Sequence, residues 1–341
     1  MKTVQCIFHA MALLAAAAML SCTGKTGYVA VRGYAQGGTY TVKANLKGTS
    51  LKPDIMARDI DSILVAIDNT LSGYNKGSLL SRLNNGDTVV SNPLLDEMLI
   101  LSEAILEETG GAVDVASGEL FDLWGFGFTR DSLPPAETVA NVLSRRGKGL
   151  GIRRFGSDSL ALEKAGGKPS VKLNFNAIAQ GYSCDVVARY LKSFGITDML
   201  VDIGEIYLSG NNPSGQSWKL AIDTPSDGND TPGKDIAGTW ESRGRSLGVV
   251  TSGNYRKFYV KDGRKYPHTL DPRNGYPVGH NLLSATVTAP DAARADALAT
   301  YCMVIGTEKA KAFLQGTPDV EGYLISGTED GGYAIWKSDN F

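Results

Sequence analysis

Residues 282–306, LLSATVTAPDAARADALATYCMVIG, read as a strand over 282–289 followed by a packed helix of alanines and plain hydrophobes. That helix carries Asp296 and Thr300, four residues apart. At this spacing the two side chains share one helical face. A carboxylate and a hydroxyl so placed can hold a hard cation such as Mg2+, which takes oxygen ligands. A buried Asp–Thr hydrogen bond fits the same pattern equally well.

Outward from this stretch, helices and strands are interspersed without a regular βαβ beat. Residues 33–47 alternate around Tyr40 and Val42 and read as a strand. Residues 54–70 repeat apolar positions at helical spacing, with Ile60 and Ile67 among them. Asn92-Pro93 has the form of an N-cap followed by proline at the first helical position, and Gly110-Gly111 ends that helix. Residues 130–170, with Pro134-Pro135 and Gly166-Gly167, read as a polar excursion from the core. Residues 176–194 form a second strong helix, capped by Asn174 or Asn176 and stopped by Gly195. Residues 199–208 are a strand interrupted by Gly204, and residues 218–222 a strand inside a loop-rich stretch. The expected fold is α+β, with mixed sheets and packed helices in a single domain over 33–341.

The N-terminus reads differently. Lys2 precedes an apolar run over residues 7–20 of signal-peptide length. Met19-Leu20-Ser21-Cys22 resembles a bacterial lipoprotein signal, with 1–21 removed and Cys22 lipidated. Residues 22–32 then form a tether, and the chain sits in the cell envelope, lipid-anchored on the periplasmic side. The absence of Asp immediately after Cys22 favours the outer membrane of a Gram-negative cell. An ordinary secretory signal is the alternative. The formal charge of −2, with 34 basic and 36 acidic residues mixed along the chain, argues against nucleic acid as a partner. Cys184 and Cys302 fall in apolar helical patterns and read as buried thiols.

Four short stretches combine glycine, hydroxyl residues and acids. The first is Gly111-Ala112-Val113-Asp114, followed by Leu123-Trp124-Gly125-Phe126. The second, Asn174-Phe175-Asn176-Ala177-Ile178-Ala179-Gln180-Gly181-Tyr182, lies at a helix start, whose unpaired N–H groups suit a diphosphate as well as a simple cap. The third is Thr251-Ser252-Gly253-Asn254-Tyr255 with His268-Thr269-Leu270-Asp271-Pro272-Arg273-Asn274-Gly275. The fourth is Asp296 with Thr300. His268 precedes a sharp turn and is a candidate acid/base near neutral pH; a structural loop histidine is the alternative.

Taken together, in this order, these stretches resemble the ApbE family from about residue 33 to 330. The resemblance implies an ApbE-like fold of two intertwined lobes around a central FAD cleft. It implies that FAD, as substrate, and Mg2+ bind, and that FMN passes to a threonine hydroxyl of an exported redox protein, leaving AMP. It places Asp296, Thr300 and the backbone carbonyl of Ala177 on the metal. It places Gln36, Tyr74, Ala112, Val113, Asp114, Asn174, Gln180, Thr251, Ser252, Gly253 and Leu270 along FAD, with His268 as the base. The chain departs from the family pattern at Gln36 (a methionine in the family), at Asn174 and Gln180 (often charged) and at the single Gly204. Two other readings use the same residues: an Mg2+-dependent FAD pyrophosphatase giving AMP and FMN, and a non-enzymatic FAD-binding lipoprotein.

Overall fold

The computed structural model describes residues 21–22, 27–126, 133–146, 149–226, 229, 233–255, 258–261 and 264–341. The expected signal segment, residues 1–20, lies outside them, and so does the side chain of Cys22.

The chain opens with β1 (Ser21–Cys22), β2 (Tyr28–Ala35) and β3 (Gly38–Asn45), then the long helix α1 (Pro53–Leu71). It leaves the sheet through α2 (Leu79–Asn84), β4 (Val89–Val90), α3 (Pro93–Glu108), α4 (Gly118–Leu123) and α5 (Ala136–Arg145). Four short strands follow: β5 (Ile152–Phe155), β6 (Ser159–Leu162), β7 (Lys164–Ala165) and β8 (Lys168–Pro169). Helix α6 (Ala179–Ser193) returns it to the sheet as β9 (Met199–Asp202) and β10 (Ile206–Ser209). The hairpin β11 (Lys219–Asp223) and β12 (Ile236–Glu241) precedes β13 (Leu247–Gly253). Then come β14 (Phe258–Lys261), β15 (Arg264–Pro267), β16 (Leu270–Asp271) and β17 (Tyr276–Pro277). The last elements are β18 (Leu282–Ala289), α7 (Ala292–Ile305), α8 (Thr307–Gly316), β19 (Glu321–Gly327) and β20 (Tyr333–Lys337).

Nine strands form one antiparallel sheet in the order β1-β2-β3-β9-β10-β13-β18-β19-β20. The expected α+β class is what the molecule adopts. The sheet with α1, α6 and α7 makes one lobe; α2, α3 and the small sheet β4-β6-β5 make the other. Because the chain leaves the sheet after α1 and returns at α6, the lobes interleave.

Helix α7 is the hub. Its alanines enter three separate hydrophobic clusters: Ala292 packs with Val42 and Ile60, Ala293 and Ala297 with Leu95 and Phe175, and Ala295 and Ala299 with Val287 and Leu324. A helix apolar all round is a buried helix. Its close seating depends on two glycines. A Cβ on Gly181 of α6 would stand 2.2 Å from the Ala292 carbonyl oxygen, and one on Gly248 of β13 would stand 2.3 Å from the Ala292 Cα.

Four expectations change. Residues 28–32 are sheet, not tether, because Val29 and Val31 alternate into the core beneath it, and Ser21–Cys22 pair alongside them. Residues 33–47 are not one strand: the chain reverses at Gln36-Gly37, both with positive φ. The stretch near 130–170 is no excursion, since Val139, Val142, Leu160 and Leu162 are core residues. Helix α6 starts at Ala179 without a side-chain cap, because the Asn174 Oδ1 accepts instead from the Asn176 N–H. The reading of α3 holds: Pro93 is its first residue and the Asn92 side chain accepts from the Leu95 N–H. Cys184 and Cys302 are buried free thiols.

Candidate functional site

The starts of α6 and α7 lie against each other but are satisfied differently. At α7 the Asp291 side chain accepts from the Arg294 N–H at 2.8 Å. Asp185, reaching over from α6, accepts from the Ala292 and Ala293 N–H groups at 2.9 and 2.8 Å. Two carboxylates therefore fill the positive end of α7. At α6 no side chain of the neighbouring loop does this.

Asp296, 5% exposed, connects the two helices. Its Oδ2 accepts from the Gly181 N–H at 3.1 Å. In a continued α-helix that N–H would bond the carbonyl four residues earlier, at Ala177. Asp296 takes it instead, and among the described residues no donor meets the Ala177 carbonyl. Burial pushes the Asp296 carboxyl up to about 7; the Gly181 N–H pulls it down and Asp185 adds to the rise. One turn on, Thr300 Oγ1 lies 3.4 Å from Ser252 Oγ, so the strand β13 faces the helix with a hydroxyl.

These oxygens fit a magnesium ion. A backbone carbonyl, one carboxylate and hydroxyls are all hard donors, and Mg2+ combines few carboxylates with substrate phosphates. Among the described residues no group of three or more His, Cys, Asp and Glu side chains comes together. That excludes, for those residues, the thiolate and imidazole clusters that hold zinc.

Of the remaining expected residues, Gln36 and Gln180 are tied to α6 itself. Gln36, at the tip of the β2–β3 hairpin, donates from Nε2 to Ser183 Oγ of α6 at 2.5 Å. Gln180 donates weakly to the Ile203 carbonyl at 3.5 Å, beside Gly204. A Cβ at Gly204, whose φ is +91°, would meet the Gln180 Nε2 at 2.6 Å, so the single glycine accommodates this glutamine. Tyr74 and Asn174 line a cavity of about 80 Å³ together with Asn84, Asp122, Lys172 and Asn176. That volume encloses only part of a dinucleotide, against roughly 300–1,000 Å³ for a drug-sized pocket.

The segment of Ala112, Val113 and Asp114 lies beside this cavity, because the Asn174 N–H donates to the Val115 carbonyl at 2.7 Å. The side chains of Ala112 and Val113 are buried, leaving their backbone to meet a ligand. Asp114 is ion-paired with Arg146, which also donates to the Pro272 carbonyl at 3.0 Å. Arg146 thus ties the Asp114 segment to the loop after His268. Trp124 does the same from α4, donating from Nε1 to the Gly275 carbonyl at 2.7 Å. His268 is half-buried just before β16. Its neighbour Thr269 donates to the buried Asn254 Oδ1 at 2.5 Å, which brings the loop to the end of β13, next to Gly253.

Two expected side chains face elsewhere. Thr251 is on the opposite face of β13 from Ser252, paired with Thr286 at 2.8 Å, as the two-residue strand period requires. Leu270 is buried in the cluster of Leu120, Trp124, Val139 and Val142, so its side chain is core and only its backbone can meet FAD. His280 has a structural role: its Nδ1 accepts from the Leu282 N–H, so its Nε2 donates to the Met303 carbonyl at 2.9 Å. The sequence reading missed Arg146, Lys172 and Asn84. Lys172 pairs with Asp122, and the Asn84 carboxamide brackets Leu173 through both backbone groups, at 2.7 and 2.9 Å. Lys172 and Asn84 act across 50 and 89 residues, and Arg146 across 32 to Asp114 and 126 to Pro272; local pattern carries no sign of them.

Comparison with known proteins gives a consistent answer. The profile of the ApbE family matches residues 36–324. The FAD:protein FMN transferase of Haemophilus influenzae is 32% identical over 335 residues, 94% of this chain and 93% of its own. That of Escherichia coli K12 is 32% identical over 306 residues, 88% of this chain and 84% of its own. Among solved structures, the flavinyl transferase ApbE of Pseudomonas stutzeri in its apo form superposes with a TM-score of 0.77 at 29% identity, covering 94% of this chain and 95% of that one.

Proposed function

The chain belongs to the ApbE family, and on that premise we propose that it moves FMN from FAD to a threonine hydroxyl of another protein, releasing AMP. It is a transferase with FAD as its substrate. The observation that carries the proposal is the exchange at Gly181: Asp296 takes its N–H and leaves the Ala177 carbonyl open beside a carboxylate.

Ala177, Asp296 and Thr300 would hold Mg2+. Bound there, the ion would neutralise the diphosphate and the charge on the departing phosphate. At the start of α6 the Ile178 and Ala179 N–H groups bond the Phe175 carbonyl and the Gly181 N–H bonds Asp296, so the Gln180 N–H and the positive end of the dipole are what α6 would offer the same diphosphate. Gln36, Tyr74, Asn174, Gln180, Ser252 and the backbone of Ala112 to Asp114 would bind and orient FAD. His268, kept at the end of β13 by the Thr269–Asn254 hydrogen bond, takes the proton of the incoming hydroxyl. The likeness of Met19-Leu20-Ser21-Cys22 to a lipoprotein signal supports a lipid anchor at Cys22 that keeps the enzyme at the cell envelope. Among the described residues no helix is long and apolar enough to cross a membrane.

The test is flavinylation of a purified recipient redox protein with FAD, with and without Mg2+. The expected outcome is a covalent fluorescent band on the recipient only when Mg2+ is present. AMP release that is unaffected by the recipient, with no labelled band, would replace transfer by hydrolysis.

A further inference from the structure

Among the described residues, the first strands of the sheet leave one backbone edge open next to the site. Ala35 and Gly38 close a two-residue turn with Gln36 at φ +52° and Gly37 at φ +82°. Two successive positive φ values are those of a type I′ hairpin. In such a hairpin the closing pair exchanges both N–H···O bonds, and the pattern then alternates. Ala35, Gly33 and Val31 therefore point their backbone groups at β3, while Tyr34, Arg32 and Ala30 point theirs outward. Among the described residues, β1 covers Ala30 through Ser21 and no other strand pairs with the outer edge of β2. Among the described residues nothing meets the outward groups of Arg32 and Tyr34.

This edge runs into the catalytic region. Two residues beyond Tyr34, Gln36 is hydrogen-bonded to Ser183 on α6, close to the Gly181–Asp296 contact. A strand rises about 3.3 Å per residue, so a segment paired with Arg32 and Tyr34 reaches the hairpin tip within two or three more residues. Tyr34 is 66% exposed, as much as Tyr74 in the cavity, and offers an aromatic face to a cross-strand neighbour. The opposite edge of the sheet, β20, has no candidate site residue on it or on β19.

We propose that the outer edge of β2 at Arg32 and Tyr34 binds an extended segment of the recipient protein as an added strand, and so delivers its acceptor hydroxyl to the start of α6. This rests on the transferase reading. A protein acceptor has to bring a main-chain segment to the diphosphate, and strand addition supplies main-chain affinity without demanding a particular sequence.

Arg32→Pro and Tyr34→Pro each delete one outward N–H without touching a bond to β3, and proline is tolerated on an edge strand whose N–H faces outward. Each should raise the KM for the recipient about fivefold, the worth of one hydrogen bond. Binding of FAD and AMP release without recipient should stay as in the wild type; Tyr34→Val, which keeps the N–H, should change KM less than Tyr34→Pro. Independently of any variant, hydrogen exchange on the wild-type enzyme should show the Arg32 and Tyr34 amides unprotected alone and protected when the recipient saturates. Amides already protected in the free enzyme, no protection on saturation, or proline variants that fold, bind FAD and keep their KM would overturn the edge. A wild type that labels no recipient would overturn the transferase reading and the edge with it. Labelling with unmoved KM and unprotected amides overturns the edge alone.

Discussion

The α6–α7 junction and the cavity at Tyr74 both carry residues of the proposed nucleotide site, and they are built in opposite ways. The junction is made by backbone: two glycines and a row of alanines let two helices and a strand touch, and its carboxylates Asp185, Asp291 and Asp296 are bound to backbone N–H groups. The cavity is made by side chains: Tyr74 is mostly exposed, and Lys172, Asp122 and Asn84 reach in from separate elements. A site built by close backbone approach has no slack, because a methyl group has nowhere to go. A site built by side chains can lose one and keep its frame.

The sharpest way to test this contrast is Asp296→Ala, which removes the one carboxylate among the proposed metal ligands Ala177, Asp296 and Thr300. Loss of several kcal/mol of charge stabilisation corresponds to a fall of about 10³-fold or more in transfer rate. A variant with more than a tenth of wild-type activity in Mg2+ would remove Asp296 from the metal. Next comes Gly181→Ala. Its methyl would collide with the Ala292 carbonyl at 2.2 Å, so the variant should lose about 1–3 kcal/mol of unfolding free energy and bind Mg2+ more weakly. A neutral result in denaturant titration would mean the helices can part freely.

Third, Mg2+ and a proton compete for Asp296. Its carboxyl is raised to about 7 in the metal-free protein, so protonation is favoured below that value. Mg2+ affinity, measured by calorimetry, should therefore rise about tenfold per pH unit up to about 7 and level off above it. A flat profile from pH 5 to 8 would show the carboxylate already ionised. The smallest effect belongs to the cavity: Tyr74→Ala should raise the KM for FAD about five- to tenfold, the worth of one aromatic stack, with the melting temperature unchanged. A loss as large as that of Asp296→Ala would erase the distinction between the two regions.

What could be read in the sequence follows the same division. Asn92-Pro93 announces α3 because cap and helix are adjacent in the chain. The start of α6 could not be placed, because Gly181 finds its acceptor 115 residues away and Asn174 spends its oxygen inside the preceding loop. The hairpin at Gln36 was invisible as a turn, since a glutamine rarely takes φ of +52°. Asp296 and Thr300 stood out through their spacing on one helix. Thr251 did not sort from Ser252 until the register of β13 against β18 was known. Arg146 and Lys172 had no motif, since their partners are set by how the lobes interleave.

Helix α7 joins three clusters at once, and it is drawn from the last sixth of the chain. Until it is synthesised none of the three can close, and the central strands β13 and β18 lack the surface they pack on. Closure of these three clusters is therefore held back until α7 emerges, while the cluster of Leu120, Trp124, Val139, Val142 and Leu270 needs no residue of α7. A chain cut anywhere before residue 306 should be a protease substrate rather than a smaller stable protein.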